Sequence, residues 1–363
     1  MKLINRLAFY RSLWSQFLRD KLSLLPSKIQ NFDSFVNESR RLDLSGKTTK
    51  VWFLVPSRSA GASFIMWNIV PKVDSLVQQL GLSISIGLSF EEPSEVNFDI
   101  LFVFKAVPSN QVFASSKKTV LVICDQADVF WQDFSRFDAI VVTSSNELAR
   151  LIANRTDKPI YFLHEPERTS YIDHGYQRCN KEGIVDENAA ILWHGGNYSL
   201  PALLRYRRQF EYLATATDFK ELVIVSGDGS DLGLDWSGIQ FRYVPWSSEN
   251  LIRASSVCRF AFLPARASLK NSYLKPAARL RCSYALGLPA VGDKRVPEVV
   301  RFSQRIGAPL IPSDSLVANF LEALWIDMSR LKKMAIIGNR EVKEHYSEES
   351  TVNRWIRLIE HLA

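Results

Sequence analysis

Twelve short apolar runs, most rich in Val, Ile or Phe, are strung along the chain with longer amphipathic stretches between them. The first six lie at 51–56, 83–88, 99–105, 119–125, 139–145 and 159–166. The second six lie at 189–196, 221–229, 239–246, 257–264, 288–293 and 308–313. Continuous apolar runs of this length fit strands buried on both faces. Helical patterns fall between most of them, as at 65–80, 146–154, 201–215 and 316–334. Such alternation predicts βα units and a doubly wound parallel sheet, an α/β class, and it occurs twice.

The polar stretch 167–188 separates the two series and reads as a linker or hinge loop, which puts a domain boundary near Arg168. The expected division is a basic helical segment over 1–40, a first domain over 41–168, a second over 169–345, and a C-terminal helix over 346–363. In that last helix Val352, Trp355, Ile356, Ile359 and Leu362 share one apolar face, with Ser350 or Thr351 as its N-cap. At the other end Leu3, Leu7, Tyr10, Trp14 and Phe17 recur at helical spacing among Lys2, Arg6, Arg11, Arg19 and Lys21. That pattern suits a helix on an anionic membrane surface, or one packed on its own domain.

A net charge of +7 over 363 residues favours anionic partners: nucleic acid, anionic lipid or phosphorylated small molecules. The chain carries no helix-turn-helix, zinc-finger or RNA-binding pattern, so nucleic acid is not expected. Cys124, Cys179, Cys258 and Cys282 are scattered and form no CxxC, which suits reduced thiols in the cytoplasm and no metal site. No apolar stretch reaches the ~18 residues of a membrane span.

Ligands of an open parallel sheet bind beyond the carboxyl ends of its strands, so the loops leaving those ends carry the candidate chemistry. Trp193–Pro201 places His194, Gly195, Gly196 and Asn197 between a strand and a proline-started helix, a turn suited to an anion. Ser226–Gly229 is a second such turn, with Gly227 inside it. Further on, Pro276 fits the first position of a helix, which puts Lys275 at the N-cap and Arg279 one turn later. Two cations and a helix dipole at one point suit a diphosphate. The helix is expected to stop at Gly287 and pass directly into the strand that follows. In the first half, the small-residue loop Pro56–Ser63 holds Ser59 and Gly61, and Asp125 and Asp128 follow a strand closely. Those two are the best-placed carboxylates for general-base work or for sugar hydroxyls, or else helix caps.

In their order along the chain these segments resemble the GT-B glycosyltransferases of group 1, also called family 4. The most specific match is RLRCSYALGLPAVGDKRVPEVV (Arg279–Val300), similar to the family's helix, its Gly-Leu-Pro-x-Val step and its Pro-Glu-Val-Val segment. SGDG and Tyr243–Pro264 resemble the preceding family blocks, and Ser59–Val70 and Val122–Leu148 resemble blocks of polysaccharide-assembly members. The resemblance implies two Rossmann-like domains. The first, with Ser59, Gly61 and Asp128, takes a glycan or lipid-linked acceptor. The second holds a nucleotide-diphosphate sugar on His194, Gly195, Gly196, Asn197, Gly227, Lys275 and Arg279.

Asp125, closing its strand, is the leading candidate for the catalytic residue. No cofactor or metal is implied beyond the nucleotide sugar itself, and the implied setting is surface polysaccharide assembly at the inner face of the cytoplasmic membrane. Many relatives carry two glutamates eight residues apart; counting back from Gly287, those positions hold Leu274 and Cys282. Their absence leaves a non-catalytic nucleotide- or glycan-binding or scaffold protein as the alternative. A nicotinamide dehydrogenase is not expected, because no GxGxxG follows a strand.

Overall fold

All twelve apolar runs contain strands, and a thirteenth precedes them. The computed structural model describes residues 48–55, 68–89, 91–92, 97–104, 109–124, 133–180, 190–227, 233–265 and 273–363, and the backbone of 29–31 and 60–67. The strands are β1 (Ile29–Asn31), β2 (Thr49–Leu54), β3 (Ile84–Ser89), β4 (Phe98–Phe104), β5 (Ser116–Ile123), β6 (Ala139–Val142) and β7 (Ile160–Phe162), then β8 (Ala190–His194), β9 (Glu221–Val225), β10 (Gln240–Val244), β11 (Cys258–Leu263), β12 (Ala290–Asp293) and β13 (Leu310–Ile311). Two sheets result, ordered β1-β7-β6-β5-β4-β2-β3 and β10-β9-β8-β11-β12-β13. Every pairing in both is parallel.

The chain divides into two units, Met1–Glu165 with Glu349–Ala363, and Pro166–Glu348. In the first, the side chains of β2, β4 and β5 pack into a core that also takes in the C-terminal helix Glu348–Leu362. Trp355 sets its edge against the rings of Phe53 and Phe102, at centroid distances of 5.7 and 5.3 Å. Val352, Ile356, Ile359 and Leu362 are buried beside it, the face that their spacing predicts. The helix begins at Glu348, however, so the expected Ser350 or Thr351 cap lies inside its first turn.

Two other expectations need correction. Within the segment read as helical over 1–40, Ile29–Asn31 is a strand paired with β7 at the sheet edge; the proposed membrane helix lies outside the described residues. The segment read as a linker contains the helix Thr169–Asn180. It is polar overall but buries Tyr171, Ile172, Gly175 and Arg178, a helical face in which glycine and arginine stand where aliphatics were sought. A Cβ on Gly175 would lie 2.0 Å from the Ala285 carbonyl oxygen, and one on Gly287 would lie 2.6 Å from the Gly175 oxygen. Both positions therefore need glycine for two backbones to touch.

At that contact the helix Ala278–Ala285 ends, and Gly287 takes φ +65°, the left-handed turn its position calls for. The Asn339 amide donates to the Ala285 and Tyr284 carbonyls at 2.9 and 3.3 Å, satisfying buried carbonyls at the end of that helix. Tyr284, fully buried, donates from its hydroxyl to the Ala290 carbonyl at 2.8 Å and ties the helix to β12. Among the described residues, no helix is long and apolar enough to cross a membrane.

Candidate functional site

In the second sheet the chain starts in the middle at β8, runs outward through β9 and β10, then returns to β11 on the other side of β8. The order reverses between β8 and β11. Loops leaving neighbouring strands diverge at such a point and open a crevice at the carboxyl ends. One side chain bridges it. Arg279 donates from Nη1 to the His194 carbonyl, at the end of β8, at 3.3 Å. It donates from Nη2 to the Pro264 carbonyl, just past β11, at 3.1 Å. Arg279 is half-buried, and burial lowers its pKa from the usual guanidinium value. Two carbonyl oxygens occupy only part of a five-donor fork, and no carboxylate bonds to it among the described residues.

Gly195 lies beside this guanidinium: a Cβ there would be 3.1 Å from Nη1. Across the next turn, Asn197 lays its amide over Gly227, whose Cβ would be 2.5 Å from it. Ser226 Oγ lies within hydrogen-bond distance of both the Gly195 carbonyl, at 2.7 Å, and the Asn197 side-chain amide, and the Trp246 backbone N–H donates to the Gly227 carbonyl at 3.0 Å. The turns after β8, β9 and β10 are thereby laced into one surface. Tyr198 covers Gly196, yet is 62% exposed, and Trp246 is half-exposed.

His194 does not stand where a phosphate contact needs it. It is buried, and its Nε2 lies 2.9 Å from Ser283 Oγ on the helix Ala278–Ala285. Burial, reinforced by the Arg279 charge, pushes the imidazole down to about 3, so it is neutral at neutral pH. The expected helix start also moves. Ala277 takes the N-cap position and makes no side-chain capping bond; Pro276 and Lys275 precede the helix, and Lys275 is half-buried. Proline before Ala277 fixes the approach of the chain rather than its first helical residue. The first N–H groups of the helix consequently have no side-chain acceptor at the cap, on the same turn as Arg279.

Sequence reasoning missed a second cluster, after β12. Asp293 is buried, and its carboxylate accepts from the Ala265 and Arg295 N–H groups at 3.0 Å each. It also accepts from Arg295 Nε at 2.8 Å and Nη2 at 2.5 Å. Burial works against the charge, but the Arg295 side chain and both backbone donors outweigh it and hold the carboxyl below its usual range. Arg295 also donates to the Ala265 carbonyl at 3.0 Å, so the ends of β11 and β12 are joined as β8 and β11 are by Arg279. An aspartate closing a strand was the available signal, the same one that marked Asp125. Ser283 gave no signal, because a serine inside a helix pattern is ordinary.

Of the first-unit candidates, Ser59, Asp125 and Asp128 lie outside the described residues, and Gly61 sits in the first turn of the helix Ala60–Gln79. Among the described residues no three of His, Cys, Asp or Glu are grouped to hold a metal ion.

No protein-family model matches the chain. No curated protein matches it either. Solved structures do. A glycosyltransferase from Rickettsia africae is similar with a TM-score of 0.60 and 11% identity, over 87% of this chain and 99% of that one. Anabaena HepE, in complex with UDP and glucose, gives 0.55 and 10% over 86% and 99%. An alpha-glucosyltransferase in complex with UDP and DNA gives 0.57 and 12% over 87% and 100%. The chain has the GT-B fold of these glycosyltransferases, two Rossmann-like domains.

Proposed function

We propose that the protein is a glycosyltransferase of the group-1 type, taking a nucleotide-diphosphate sugar in the second unit. The observation that carries this reading is Arg279, a cation across the strand-order switch point whose bonds, among the described residues, go to carbonyl oxygens. In the reaction the bond from the anomeric carbon to the diphosphate oxygen breaks, and one to an acceptor hydroxyl forms. Negative charge then builds on the departing nucleoside diphosphate. A fixed guanidinium, backbone N–H groups at the start of the helix and Lys275 nearby would stabilise it without a metal. Gly195, Gly196 and Gly227 let the ligand approach backbone, with Asn197 at the rim. Asp125, on the acceptor side with Ser59, Gly61 and Asp128, is the proposed acceptor of the hydroxyl proton. A glycan or lipid-linked acceptor of surface polysaccharide suits the basic N-terminal segment, at the inner face of the cytoplasmic membrane.

A second reading rests on Leu274 and Cys282. At these positions the resemblance leads one to expect the paired glutamates, and burial raises the Cys282 thiol well above its usual range, so no anion stands there. A GT-B protein that binds nucleotide or glycan without turnover fits that loss. Thermal shift against UDP, GDP, CDP, ADP and dTDP and their sugars, followed by assay of nucleotide release from whichever sugar stabilises the fold, separates the two. Stabilisation with release supports the enzyme; stabilisation without release or transfer supports the binding protein. Stabilisation by none of them would overturn both nucleotide readings.

A further inference from the structure

We propose that His194 and Ser283 are positioning residues that hold the Arg279 guanidinium at the switch point for a diphosphate, an inference that rests on the phosphate reading above. The three residues close a ring. Arg279 Nη1 donates to the His194 carbonyl at 3.3 Å. The His194 ring meets Ser283 Oγ at 2.9 Å, and Ser283 Oγ donates to the Arg279 carbonyl, one turn back, at 3.1 Å. A serine hydroxyl has one proton, and here it goes to that carbonyl, so His194 Nε2 carries the hydrogen that Oγ accepts. The ring therefore runs in one direction through N–H and O–H donors. It ties both the backbone and the side-chain tip of Arg279 to the one residue that ends β8.

His194 and Ser283 are both buried, so water does not compete for these bonds. His194 stays neutral from mildly acid to alkaline pH, which removes it from proton transfer and keeps the ring intact over that range. Arg279 has a long side chain with several rotatable bonds. Holding it in place before a ligand arrives removes an ordering cost from binding. Gly195 leaves the guanidinium its space, 3.1 Å from where a Cβ would be.

The test is calorimetric titration of the full-length protein with inorganic pyrophosphate, which carries the anion without a base, alongside a melting curve for each variant. Ser283→Ala and His194→Phe are expected to weaken pyrophosphate binding about fivefold, the loss of roughly one positioning bond. His194→Gln keeps an N–H donor and is expected to stay within about twofold of the parent. Arg279→Ala is the control for the phosphate reading. If Arg279→Ala loses pyrophosphate while Ser283→Ala lowers only the melting temperature and binds as the parent does, the positioning role is overturned and the phosphate site stands. If Arg279→Ala binds as the parent does, or the parent binds no pyrophosphate, the phosphate reading falls and this inference with it. Ser283→Ala removes one oxygen atom and carries the result if His194→Phe fails to fold.

Discussion

Arg279 and Arg281 leave the same helix two residues apart, on opposite sides, and the two sides are built differently. Arg281 is buried; its Nε meets Glu167 at 3.3 Å and its guanidinium lies 4.7 Å from the Tyr346 ring centroid. Glu167 in turn donates its N–H to the Tyr346 carbonyl at 2.7 Å. That side is a closed assembly of cation, carboxylate and aromatic face. Arg279 faces the carboxyl end of the sheet and, among the described residues, its guanidinium bonds to carbonyl oxygens and to no carboxylate. The same residue type thus serves structure on one face and stands ready for a ligand on the other. A charge with a carboxylate partner is already neutralised; one held by neutral acceptors keeps its field for an incoming anion.

The comparison can be broken most forcefully at Arg281. Arg281→Ala removes the partner of Glu167, which then takes a proton, and the packing of the guanidinium on Tyr346; it is expected to cost about 3 kcal/mol of stability in the second unit, read by denaturant unfolding. Pyrophosphate affinity of the protein that remains folded should be unchanged. Arg279→Ala should do the reverse: about 2 kcal/mol lost from diphosphate binding by titration, with nucleoside binding and the melting temperature little moved. If both variants lose stability and binding together, the two faces are not distinct.

A third prediction uses Glu167. Burial, opposed by the charge and hydrogen bond of Arg281, raises its carboxyl from 4.5 to about 7. The folded protein holds this proton more tightly than the unfolded chain does. Its contribution to stability is therefore complete below about pH 4.5 and is lost as pH rises through about 7. Glu167→Gln should flatten unfolding free energy over that window, while leaving the pH dependence of pyrophosphate binding as it was. The smallest expected effect is Lys275→Ala, a change of about twofold to fivefold in pyrophosphate affinity, because a half-buried, flexible ammonium is screened by solvent and salt.

The strands were legible because parallel strands buried on both faces write their positions as unbroken apolar runs; Ala190–His194 and Glu221–Val225 are plain examples. β1 was not, being three residues at an edge within a basic segment. Thr169–Asn180 was hidden because its key contact is glycine on glycine, which no hydrophobic pattern records. In the candidate site, Arg279 and the glycine turns could be placed, since a loop's position after a strand fixes which end of the sheet it reaches. The role of His194 could not. The final residue of a strand sends its side chain to one face, and only the partner across that face, Ser283, shows that it is interior.

From Glu349 on, the helix Glu348–Leu362 belongs to the first unit, although the whole of Pro166–Glu348 lies between it and the rest of that unit in the chain. Synthesis from the amino end therefore delivers the second unit before the last piece of the first. At ~5–20 residues per second, roughly 10–40 s separate the first unit's sheet from the helix that brings Trp355 against Phe53 and Phe102. For that interval the rings of Phe53 and Phe102 lack their cover on the ribosome. Chains truncated at Glu348 are expected to be cut by protease within the first unit while the second resists, because Trp355 is then missing from the core that Phe53 and Phe102 share.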